Sequence, residues 1–160
     1  MGVTTSFSFN IKCEKISKIL LKKIFDFLFK NGFDYNVSFL CQYQGNKNSL
    51  KLFKEKSLSK NSYENINERI DFLISQGGGA IELGWKNKNK TYEVLFHIFP
   101  TENEKGFIHL ALSFRSSITY NENGELNNNH YLLLNKMEDL SKFVNVETKM
   151  KTTKIEIGKI

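Results

Sequence analysis

The chain has 160 residues, enough to bury one substantial core, and 40% of them are hydrophobic, 25% charged and fourteen phenylalanine. That balance excludes a disordered chain, and no apolar run approaches the roughly 18–20 residues needed to cross a bilayer. The formal charge of +6 is concentrated in residues 1–60, which hold eleven lysines and four acids, while the remaining hundred residues sum to −1.

This basic excess indicates the sign of a partner surface better than it indicates nucleic acid. Only Arg69 and Arg115 among the 23 basic residues are arginines, whereas phosphate and base recognition favour the bidentate arginine fork. Lysine, asparagine, isoleucine and phenylalanine are enriched together, as translation of an AT-rich genome would enrich them. No nucleic-acid partner and no membrane association are expected. The start, MGVTTSFSFN, has neither a basic n-region nor an apolar h-region, so no secretory signal is expected and the location reads as cytoplasmic. Cys13 and Cys41 lie in no CxxC or Cys/His spacing and read as buried thiols of a reducing compartment. One proline, Pro100, no low-complexity linker and no fixed-period repeat describe one domain over 1–160.

In chain order, Phe7, Phe9 and Ile11 alternate with Ser6, Ser8 and Asn10, which predicts a strand at 4–11. A helix is expected over about 15–30, with Ile16, Ile19, Leu20, Ile24, Phe27 and Leu28 on its apolar stripe and Asn31-Gly32 as its stop. Residues 35–43 read as a strand and 50–53 as a short return strand. The second helix, about 62–76 and capped by Ser59 or Ser62, carries Tyr63, Ile66, Ile70 and Leu73 at spacings of three and four.

That helix runs into Gly77-Gly-Gly79. A phosphate loop needs glycines that lead into a helix, whose free amides and positive dipole end face the anion. Here a helix precedes the glycines and a strand pattern follows, with no Lys-Ser/Thr behind them. The glycines therefore read as a helix stop and a tight turn.

Three strand patterns follow, with Ile81, Leu83 and Trp85, then Tyr92, Val94, Phe96 and Ile98, then Ile108, Leu110, Leu112 and Phe114 on one face. The fold class is α+β: an antiparallel sheet with a central meander (about 79–85, 91–99 and 107–115) packed against the two helices. Joining the apolar faces pairs Ile98 with Ile108, Phe96 with Leu110 and Val94 with Leu112. On the reverse face this register sets His97 opposite His109, Leu95 opposite Ala111 and Glu93 opposite Ser113, with Glu82 near Leu95. Beyond the meander, a strand ends at 118–120, Asn123-Gly124 turns, and His130 falls in a loop. A short helix is expected near 135–144 and a lysine-bearing edge strand at 149–157.

No GxSxG, HExxH, GxGxxG or Walker-type pattern occurs, so neither an enzyme nor a cofactor or metal site is expected. Two imidazoles beside Glu82 and Glu93 form the residue set for an alternative reading, a small-ligand or metal site or an enzyme on that sheet face. A mixed polar and aromatic sheet face also suits protein docking. A small, motif-poor α+β chain carrying Gly78-Gly-Ala-Ile-Glu-Leu-Gly-Trp85 resembles the immunity proteins of bacterial polymorphic-toxin systems. The resemblance covers general build and that one segment. It implies binding to a cognate toxin so as to occlude its active site or substrate path. Those families share no common contact set, so none is carried over. Immunity proteins against nuclease toxins are often acidic; this basic chain implies an acidic toxin surface instead, met by the lysine-rich first third. The partner-binding set expected from these readings is Glu82, Glu93, His97, His109, Lys18 and Lys22.

Overall fold

The computed structural model describes residues 3–35, 42–46, 49–53, 66–101 and 104–159. Strand β1 (Thr4–Lys12) follows its alternating sequence, burying Phe7, Phe9 and Ile11 and turning Ser6, Ser8 and Asn10 to the other face. Helix α1 (Lys18–Lys30) begins three residues later than expected, because the Ser17 hydroxyl accepts the Leu20 amide and fixes the cap there. Leu20, Leu21, Ile24, Phe25 and Leu28 are buried, whereas Ile19, expected on the core stripe, is 71% exposed. Two overlapping apolar stripes exist on this helix. The sheet selects the one that sets Phe25 against Phe96, with ring centroids 6.1 Å apart. Asn31 and Gly32 end the helix as expected, Gly32 with a φ of +89°.

Strand β2 (Phe33–Tyr35) follows, and β3 (Gln42–Asn46) and β4 (Ser49–Phe53) form a separate antiparallel hairpin. Cys41, the middle of the strand expected at 35–43 and the expected start of the second helix lie outside the described residues. Helix α2 (Ile66–Gln76) buries Ile70 and Leu73. It closes with two reversed bonds, from the Gly77 amide to the Ile74 carbonyl and from the Gly78 amide to the Leu73 carbonyl. Gly77 has a φ of +72°, so this is a glycine-closed helix C-terminus.

Strands β5 (Gly79–Asn87), β6 (Lys90–Pro100) and β7 (Phe107–Arg115) form the expected meander. With β8 (Glu156–Lys159) they join an antiparallel six-stranded sheet in the order β2-β5-β6-β7-β1-β8. The edge strand is thus shorter and later than 149–157, although Thr152 makes an isolated bridge to Ile11. The strand expected to end at 118–120 stops at Arg115 and gives way to a 3-10 turn, Ser116–Ile118.

The largest difference from expectation is helix α3, which spans Asn128–Glu147 instead of about 135–144. Asn127 accepts the Asn129 amide at its start, so the polar run that reads as loop is a cap. His130, expected in a loop, is buried in the first turn and stands edge-to-face on Phe7 at 5.2 Å. Leu133, Met137, Leu140 and Val144 continue that face. Helix α3 runs antiparallel to α1, with Phe27 against Phe143 at 5.0 Å and the Lys23 ammonium donating to the Glu147 carbonyl. The apolar stripes of all three helices and the inner faces of the strands form one core. Among the described residues no helix is long and apolar enough to cross a membrane.

Candidate functional site

The β6–β7 register differs from expectation by two residues. Phe96 lies opposite Leu112 and Ile98 opposite Leu110. A slip of two keeps every side chain on its face, since the strand period is two, but changes every cross-strand neighbour. The apolar pattern is satisfied equally by either register. The connection decides between them: the Thr101 amide bonds the Phe107 carbonyl and Pro100 lies opposite Ile108.

On the outer face, His97 therefore lies opposite Ala111, and His109 lies opposite Phe99. The two imidazoles are diagonal neighbours and not a direct pair. Leu95 faces Ser113 instead of Ala111, and Glu93 lies beyond the end of the β6–β7 ladder. Glu82 does stand opposite Leu95, as expected. Burial, reinforced by repulsion from His109, pushes the His97 pKa down to about 4. Burial also lowers that of His109, against the opposing pull of the Glu156 carboxylate. His109 Nδ1 donates to Asn10 Oδ1 at 2.8 Å, which leaves Nε2 as the bare nitrogen of the neutral ring. Both rings are thus neutral at pH 7. Among the described residues no three His, Cys, Asp or Glu side chains converge on a position that would hold a metal ion.

The same face contains a feature that no sequence pattern announced. The β6–β7 ladder stops at Leu95 and Ser113. Beyond that point β6 stays paired with β5 as far as Lys90, and β7 stays paired with β1 as far as Thr4 opposite Arg115. The end of β7 is held to β1 by a 2.6 Å hydroxyl contact between Thr5 and Ser116 and by the Ser116 amide bonding the Val3 carbonyl. Two ladders diverge, and between them opens a cleft of about 510 Å³. The half-buried Leu95 and Ile118 supply its apolar surface, while Val94 and Phe114, which also border it, are almost wholly buried in the core. Glu82, Thr91 and Glu93 line the β5–β6 wall, and Thr4, Ser113 and Arg115 line the β7–β1 wall.

The expected partner-binding set is therefore divided by the fold. Glu82 and Glu93 meet in the cleft, while His97 and His109 lie further along the same face. Lys18 and Lys22 are on α1, in the helical layer, and Lys18 reaches Asp71 of α2 at 3.2 Å with both side chains well exposed. Sequence reasoning missed Thr4, Ser113 and Arg115. The available signal was that Arg115 is one of only two arginines.

No protein-family model, no curated protein and no solved structure matches the chain. Its class follows from its own architecture: an α+β domain in which three described helices cover one face of a six-stranded antiparallel sheet.

Proposed function

We propose that this chain is a small cytosolic protein-binding domain, an immunity protein that neutralises a cognate bacterial toxin by binding it. The observation that carries this reading is the outer side of α1. Ile19 is 71% exposed there, flanked by the exposed Lys15, Lys18 and Lys22. A large aliphatic group held in water beside several lysines is a poor use of a core-forming helix and a good anchor for an acidic, partly apolar partner. Val146, 69% exposed near the end of the antiparallel α3, adds a second apolar group in the helical layer. Lysines of one sign steer an acidic partner into contact, and the aliphatic groups supply the desolvated centre.

The test is protection. A toxin domain encoded beside this chain, expressed with and without it, kills cells only in its absence. Lys18→Glu with Lys22→Glu weakens the pull-down of that domain by more than about tenfold and abolishes protection, while the thermal stability of the chain falls only by the small amount that replacing the exposed Lys18–Asp71 pair costs. Absence of any binding to the neighbouring gene product at moderate salt overturns the reading.

A further inference from the structure

We propose that the cleft between the diverging β5–β6 and β7–β1 ladders binds an apolar zwitterion of amino-acid to dipeptide size. This site is independent of the toxin-binding face proposed on α1, which lies in the other layer.

Three properties of the cleft point to such a ligand. Its walls carry opposite charge: Glu82 and Glu93 on one side, Arg115 on the other, with the Thr4 and Ser113 hydroxyls beside the arginine. Part of its lining is apolar, with the half-buried Leu95 and Ile118 offering surface to a ligand. Its volume of about 510 Å³ falls in the roughly 300–1,000 Å³ range of small-molecule sites. A simple anion or a simple cation would satisfy one wall and face repulsion from the other. A molecule with an ammonium at one end, a carboxylate at the other and aliphatic side chains between them satisfies both walls and the apolar groups beside them.

The geometry also holds the two signs apart. Each wall belongs to a different strand pair, and among the described residues Arg115 and Glu93 form no ion pair with each other. The arginine fork suits a carboxylate, to which it can donate two parallel hydrogen bonds. The exposed Glu93 carboxylate suits an ammonium. Over Lys90–Val94, β6 has β5 on one side and no β7 partner on the other. That strand edge offers backbone groups to the peptide bond of a dipeptide, as an exposed sheet edge does for an added strand.

Titration calorimetry and thermal unfolding of the full chain test this, with L-leucyl-L-leucine as the probe. L-leucine, the N-acetylated dipeptide and the dipeptide amide serve as comparisons. The free dipeptide is expected to bind saturably and raise the melting temperature, and blocking either end is expected to weaken binding about tenfold. Arg115→Gln should weaken the free dipeptide about tenfold and remove the penalty for amidation. Glu93→Gln should do the same for acetylation. Both side chains are exposed, so the variants should fold, and Glu138→Gln on the outside of α3 is the unchanged control. Lack of saturable binding by the unsubstituted chain up to about 10 mM probe, or equal binding of the free and blocked dipeptides, overturns the proposal.

Discussion

The imidazole of His109 lies directly across the β1–β7 ladder from Asn10 and donates from Nδ1 to its amide oxygen at 2.8 Å. That bond selects the tautomer and orients the ring on a face where Glu156, opposite Ser8 on the neighbouring strand, pulls the ring toward protonation. Glu156→Gln should therefore lower the His109 pKa further, since loss of the carboxylate removes support for the imidazolium. A histidine NMR titration reads this directly. An unchanged value would show that burial alone controls the ring, and a raised one would contradict the role of the carboxylate.

His97 makes stability depend on pH. Its pKa falls from 6.5 unfolded to about 4 folded, so above pH 6.5 neither state binds the proton and the group contributes nothing. Between those values the unfolded chain takes up a proton that the folded chain refuses, and stability drops as pH falls. Over the full window the loss is about 3 kcal/mol, and the lowered His109 and His130 values act in the same direction. Urea midpoints at pH 7.5 and 4.5 should show a clearly smaller acid loss in His97→Gln. Equal slopes would remove His97 from the account.

Ile19 and Ile24 offer a direct test of which stripe α1 buries. They are the same residue type five positions apart, one 71% exposed and the other fully buried. Ile24→Ala should cost about 2–5 kcal/mol by leaving a cavity against the sheet, whereas Ile19→Ala should stay within about 0.5 kcal/mol. Comparable losses from chemical denaturation would mean that the helix is rotated.

The glycines after α2 should differ in their tolerance. A side chain at Gly77 meets no atom within 4 Å, and its φ of +72° alone opposes substitution, so Gly77→Ala should cost about 1 kcal/mol. At Gly78 the φ is +134° and an added Cβ would stand 2.5 Å from the Ile98 carbonyl oxygen. Gly78→Ala must push β5 away from β6 and should cost about 3 kcal/mol or more. Thermal unfolding of the two variants ranks them, and the reverse order would contradict the backbone contact.

Local patterns in the chain were enough for the α+β class, the meander and the glycine-closed end of α2, because alternation, helical spacing and glycine chemistry act over a few residues. Those patterns also assigned each meander side chain to its face, since a register error of two leaves the faces intact. They also set Glu82 on the same face as Leu95 and near it, and the structure pairs the two directly.

Tertiary structure decided what lies next to what. The choice between two apolar stripes on α1 required Phe96, and the length of α3 required Phe7 beneath His130. The separation of His97 from direct pairing with His109 followed from the connection closed by Thr101 and Phe107. The cleft arose because β6 and β7 each keep their other partner when their mutual pairing stops, which brings Arg115 and Glu93 to opposite walls. Side-chain period is a property of one strand and is written in its residues. Where two strands part is a balance among several ladders, and that balance exists only once they are assembled.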